Sequence, residues 1–117
     1  MKVLLSVDME GICGVTRWEH TSTSDFYAEG QELMTAETNA AIRGCKEAGA
    51  TEVVVADAHW ASQNLLRDKL EAPVAQREEE IMMLSGIEGC DLVVFIGYHG
   101  RAGGNNFLSH TVNGRWI

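Results

Sequence analysis

Apolar runs broken by polar stretches divide this chain into alternating strand and helix signals. Val3-Leu4-Leu5-Ser6-Val7 is a nearly continuous apolar run that delivers Asp8 and Glu10 and stops at Gly11. Thr51-Glu52-Val53-Val54-Val55-Ala56 and Asp91-Leu92-Val93-Val94-Phe95-Ile96-Gly97 repeat that form, the last as the clearest buried run of the chain. Runs without polar alternation predict strands covered on both faces, as in parallel sheets. Between the first two, Phe26, Leu33, Met34, Ala41, Ile42, Cys45 and Ala48 recur at spacings of three, four and seven. That stripe predicts an amphipathic helix over residues 25–48, with Ser24 as N-cap and Gly49 as the C-terminal cap. Strand, helix, strand makes a βαβ unit with a right-handed crossover. The fold class is therefore α/β, an open and mainly parallel sheet with helices on both faces.

The remaining pattern is less regular. Residues 11–14 form a glycine-flanked turn, and the polar residues 15–24, His20 among them, read as a surface loop. A short helix is predicted over 64–70, a brief edge strand over 73–75, and a helix with an acidic start over 78–84. Residues 108–117 open a further strand that ends on Trp116-Ile117. An apolar ending of this kind predicts a cut chain, with 1–117 a metal-binding α/β domain that is the N-terminal part of a longer one.

Length and charge narrow the function. A chain of 117 residues suits one domain with a real core. Nine Lys plus Arg against 17 Asp plus Glu give a formal charge of -8, a field that repels phosphate backbones and makes nucleic acid a poor partner, so none is expected. No apolar run approaches the roughly 20 residues of a membrane helix and no signal peptide is present, so a cytoplasmic location without membrane attachment is expected. Cys13, Cys45 and Cys90 are widely spaced and odd in number, as in a reducing compartment, where they serve as small core residues. Cys13, close to the acidic pair, has the alternative role of ligand or nucleophile.

The chemistry lies at the predicted strand ends. In open α/β sheets the functional crevice is at the carboxyl ends of the strands. Here those ends carry Asp8 and Glu10, then Asp57 and His59, then His99. Asp8 and Glu10, two apart on a strand, face the same way and repel unless a cation lies between them. Carboxylate plus imidazole suits zinc or another late first-row metal, whereas magnesium prefers oxygen alone. Asp57 is either a further ligand or an acceptor that orients His59. His110 is a loop histidine or an acid/base beside the metals. Arg101 in the glycine-rich loop 100–104 is a weak anion-site signal. Trp18, Trp60 and Trp116 are too scattered for a stacking platform, and Met82-Met83 reads as core.

Taken together, Ser6-Val7-Asp8-Met9-Glu10-Gly11-Ile12 with Gly14, Leu33-Met34-Thr35-Ala36-Glu37, residues 48–53, Asp57-Ala58-His59, residues 97–102 and Ser109-His110-Thr111 resemble the N-terminal half of the D-aminopeptidases of the dipeptide-operon type, a family of dinuclear zinc metallopeptidases. The resemblance covers essentially the whole chain in order. It implies two zinc ions bridged by Asp8, with Glu10 and His59 completing one ligand set, His99 on the other metal, and His110 as the active-site histidine. It also implies an α/β fold, ring-forming homo-oligomers, and release of N-terminal D-residues such as D-Ala from short peptides by metal-activated hydroxide. The sequence departs from the family at Ala56, where an Asn is common, and in residues 73–84. The family's remaining glutamate ligand lies downstream of this chain, so the second site is expected to lack one carboxylate. Two other readings start from the same motif: a two-metal phosphoesterase or nuclease, and an inactive metal-binding remnant acting as an assembly module.

Overall fold

The computed structural model describes residues 1–110; Thr111, Trp116, Ile117 and most of the proposed last strand lie outside them. Three strands, β1 (Lys2–Val7), β2 (Glu52–Asp57) and β3 (Leu92–Ile96), form one sheet in the order β2-β1-β3, with both pairings parallel. The register sets Val7 opposite Asp57 and Ile96, so all three strands end at one level. One α-helix, α1 (Tyr27–Glu47), crosses one face. Its Met34 and Ile42 pack on Val3, Leu5, Val7, Val53 and Val55 in the core, whereas Phe26, at the start of the predicted stripe, is exposed.

The α/β class and the βαβ core agree with the sequence, and four details differ. The opposite face carries no α-helix among the described residues: residues 78–84 make only a 3-10 turn, Met82–Leu84, and the expected short helix at 64–70 is a 3-10 turn, Arg67–Lys69. The Ser6 hydroxyl donates to the Met83 carbonyl at 2.5 Å, so a buried polar side chain ties this irregular cover to the central strand. The expected edge strand at 73–75 shrinks to one parallel bridge, Val55 to Val74. Apolar content overstated the burial of β3, which flanks the sheet and leaves Leu92 and Phe95 47% and 57% exposed. Ser24 lies two residues before the N-cap position: its oxygen accepts from Phe26 N–H at 3.2 Å, while the helix itself starts at Tyr27 without a side-chain cap. Gly49, with φ +97°, closes the helix as expected. No helix among the described residues is long and apolar enough to cross a membrane.

Close backbone contact joins the strand ends. Asp8 N–H donates to Ile96 O at 2.9 Å, Ala58 N–H to Val7 O at 2.8 Å and Gly11 N–H to Gly97 O at 2.7 Å. Gly97 has φ +68°, and a Cβ there would lie 2.2 Å from Asp8 O. Gly97→Ala is therefore expected to lower stability by more than about 1 kcal/mol, from left-handed strain plus the clash. Urea unfolding checks this, and an unchanged midpoint and slope would contradict the role of the contact.

Candidate metal centre

The three strand ends deliver their side chains to one point. β1 stops at Val7, so the two-residue alternation does not extend to Asp8 and Glu10; the turn over 8–12 instead brings both carboxylates inward. Asp8, Glu10 and His59 are 7%, 4% and 6% exposed. His59 Nδ1 lies 3.2 Å from Asp8 Oδ1 and 3.2 Å from Glu10 Oε2. His99 Nε2 is 3.4 Å from Asp8 Oδ2, and His110 Nε2 is 3.7 Å from Glu10 Oε1. The His99 and His110 rings stack with centroids 3.7 Å apart. Five of the six residues singled out at the strand ends and the last loop thus meet in one cluster.

Each histidine is oriented by a backbone carbonyl. His59 Nε2 is 2.8 Å from Thr21 O, His99 Nδ1 is 2.8 Å from Gly100 O, and His110 Nδ1 is 2.8 Å from Leu108 O. A carbonyl only accepts, so the nitrogen beside it carries the proton. In the neutral rings the other nitrogen then presents its lone pair to the carboxylates. Three rings and two acids converge on one space, and no Lys or Arg among the described residues pairs with those acids.

Without a metal, a proton fills part of that need. Burial opposes charge on His59, but hydrogen bonds to Asp8 and Glu10 outweigh it and raise the imidazole pKa to about 10. Burial likewise opposes charge on Glu10, yet contact with His59 lowers its pKa to about 2. The single His59 Nδ1–H lies 3.2 Å from both Asp8 Oδ1 and Glu10 Oε2 but is aligned on Asp8, so among the described residues Glu10 Oε2 stays buried without a well-aligned hydrogen bond. Such an atom, in a set of carboxylates and imidazoles, fits a divalent cation better than a proton. Asp8, Glu10 and His59 offer ligand atoms within 4.8 Å of one another, and so do Glu10, His99 and His110.

Asp57 does not join the cluster. Its carboxylate accepts from Asn64 N–H at 2.7 Å, Asn64 Nδ2 at 2.8 Å and Leu65 N–H at 2.9 Å, which leaves it no part as a ligand. It orients His59 at one remove, because Asn64 Nδ2 also donates to the His59 carbonyl at 2.5 Å. The buried Asn64 is completed from α1: Tyr27 OH donates to its Oδ1 at 2.6 Å and Gln31 Nε2 to its carbonyl at 3.0 Å. One turn on, Thr35 Oγ1 accepts from Leu66 N–H at 3.0 Å. Positions 27, 31 and 35 lie on one helix face, so α1 holds the His59 loop as a clamp.

Sequence reasoning missed Asn64 and Thr21. Asn64 sits in a segment with a helical signal, and Thr21 acts through its carbonyl, which no side-chain pattern reveals. His20, assigned to the surface, is buried: its carbonyl packs on Gly30, where a Cβ would lie 2.0 Å away, and its Nδ1 accepts from Thr16 N–H. Cys13 is exposed, and its N–H donates to Glu37 rather than facing the cluster. Trp18 and Trp60, judged too scattered, line the same cleft, as does Met82-Met83. Trp60 is 82% exposed on a turn with φ +47°, its carbonyl held by Arg77 Nη1 at 2.6 Å. The cleft opens over the cluster with a volume of about 1720 Å³, far more than ions and their waters fill.

Two outcomes are expected. Asn64→Leu keeps the branched shape but removes the links to His59, Asp57 and Tyr27, and should weaken divalent-cation affinity about 10- to 100-fold in a chelator competition assay. An unchanged affinity would contradict the clamp. The proton on metal-free His59 must leave before a cation binds Nδ1, so zinc affinity should rise about tenfold per pH unit between pH 6 and 8, well below the raised pKa. A flat profile would contradict the protonated state of metal-free His59.

Comparison with known proteins places the chain in a family. A D-aminopeptidase of Bacillus subtilis (strain 168) is 34% identical over 117 residues, covering 96% of this chain and 43% of the relative. The structure described as the Zn-dependent D-aminopeptidase DppA from Bacillus subtilis, a self-compartmentalizing protease, superposes with a TM-score of 0.91 at 34% identity, covering 97% of this chain and 43% of that one. The chain thus spans less than half the length of these relatives. The sequence profile of the family described as D-aminopeptidase, peptidase M55, matches residues 1–117, and the chain belongs to that family.

Proposed function

We propose that this chain carries the metal-binding part of a zinc-dependent aminopeptidase that releases N-terminal D-amino acids, such as D-Ala, from short peptides. The observation that carries this reading is the convergence of Asp8, Glu10, His59 and His99 beneath an open cleft, with Glu10 Oε2 buried and unpartnered. Asp8 is suited to bridge two ions, because its Oδ1 faces His59 and its Oδ2 faces His99. Glu10 and His59 join it on one side and His99 on the other. The mixed carboxylate and imidazole set favours zinc over magnesium and with it peptidase over phosphoesterase chemistry.

Zinc, when bound, lowers the pKa of a water toward neutrality and polarises a carbonyl. The chain's own groups supply the rest. Carbonyls of Thr21 and Gly100 engage His59 Nε2 and His99 Nδ1, which turns His59 Nδ1 and His99 Nε2 toward the acids as the nitrogens a cation would take. His110, with Nδ1 fixed by the Leu108 carbonyl and Nε2 facing the acids, is the group positioned to pass a proton to the leaving amine. Its ring is backed by His99 on one side and by Trp18, edge-on at 5.2 Å, on another. Homo-oligomerisation into a ring that encloses the sites extends the self-compartmentalizing description of the relative to this protein.

Zinc-loaded protein should hydrolyse D-Ala-D-Ala and leave L-Ala-L-Ala essentially untouched, as read by release of free alanine. Asp8→Ala should lose both zinc ions in metal analysis together with activity. Hydrolysis of the L-peptide at the same rate, or full zinc content in the Asp8 variant, would contradict this function.

A further inference from the structure

The cleft is acidic at its floor and sits in a protein of charge -8, yet its rim holds the only basic side chains without partners among the described residues. Of the nine Lys and Arg, Arg115 lies outside those residues. Lys2 pairs with Glu52, Arg43 with Glu71, Lys69 with Glu32 and Arg77 with Glu79. Lys46 Nζ donates to the Glu71 carbonyl, and Arg17 lies 4.5 Å over the Phe26 ring. Arg67 and Arg101 remain. No acid, carbonyl or ring engages either guanidinium among the described residues, and both line the cleft.

Their placement is local to the site. Arg67 opens the 3-10 turn that follows the His59 loop, and Arg101 is two residues beyond His99. Each is thus carried by a segment that also delivers a cluster histidine. In a chain with 17 acids, an arginine left unpaired at a cleft is suited to an anion brought by the ligand. The other charged residues of the cleft do not supply that role. Asp8 and Glu10 form the floor, Arg77 is taken by Glu79, and Glu80 repels an anion.

We propose that Arg67 and Arg101 form a carboxylate-binding rim that takes the free C-terminal carboxylate of the short peptide, close behind the scissile bond. This inference rests on the aminopeptidase reading. A dipeptide spans about 7 Å and a tripeptide about 10 Å, lengths at which an amino end over the metal cluster leaves the carboxyl end within the cleft. The guanidinium fork matches a carboxylate in two parallel hydrogen bonds. The overall negative field disfavours an anionic ligand elsewhere on the surface, so local arginines decide where it is accepted.

The test compares D-Ala-D-Ala with D-Ala-D-Ala amide, which differ only in the terminal charge, on the zinc-loaded protein. The free acid should show a KM about tenfold lower than the amide, a ratio typical of one charge-assisted contact. The double variant Arg67→Ala/Arg101→Ala should bring the two KM values together with zinc content and kcat for the amide unchanged, and the single variants apportion the effect. Glu80→Gln should leave or widen the preference. Equal KM values in the parent protein, or a preference that survives the double variant, would overturn the rim while leaving the peptidase reading standing. If neither peptide is cleaved, the peptidase reading fails, and calorimetric titration with the same two peptides decides the rim by itself: tighter binding of the acid, lost in the double variant, supports it, and equal binding overturns it.

Discussion

Everything at the carboxyl edge of this sheet answers to one electrostatic constraint: among the described residues, buried carboxylates face one another with only histidines, and no Lys or Arg, paired to them. Asp8 and Glu10 are removed from water, and three imidazoles are turned by backbone carbonyls so that their remaining nitrogens face those acids. In water such an arrangement is cheap, but inside the fold each unpaired acceptor costs on the order of 1–3 kcal/mol. A proton on His59 relieves one contact and leaves Glu10 Oε2 bare. The scaffold therefore stores an unmet demand that a divalent ion satisfies.

Much of the fold is arranged to hold that demand in place. The parallel register ends three strands at one level, and the Gly97 contact lets the β3 loop press on Asp8. The helix contributes two kinds of residue from one face. Met34 and Ile42 bury apolar surface on the sheet, while Tyr27, Gln31 and Thr35 reach the loop that carries His59. Packing and site geometry are thus fixed by the same element, so a change that loosens one loosens the other.

How much of this the sequence disclosed depends on where each residue's role is written. Strands β1 and β2 and the long helix follow from local hydrophobic period, and Asp8, Glu10, His59, His99 and His110 follow from residue type at strand ends and in the last loop. Asp57 was legible as an acid near a histidine, but whether it binds or orients depended on Asn64, seven residues on in a segment that looked helical. The exposure of β3 was illegible for a different reason: apolar composition reports what a strand is able to bury, and neighbours decide what it does bury. Residues 78–84 have helical composition, yet Met82 takes φ +35° and the segment stays a single 3-10 turn bonded to Ser6. His20 and Thr21 were hidden because a polar loop folded over the site looks, in sequence, like any solvated loop.

The central claim is that the carbonyl-oriented rings present specific nitrogens to a cation, and nitrogen-15 NMR of the histidine side chains during zinc titration tests it most directly. His59 should coordinate through Nδ1 and keep its Nε2 proton on the Thr21 carbonyl, while His99 coordinates through Nε2 and keeps its Nδ1 proton. Coordination through the opposite nitrogens, or ring signals that do not respond to zinc, would contradict the account.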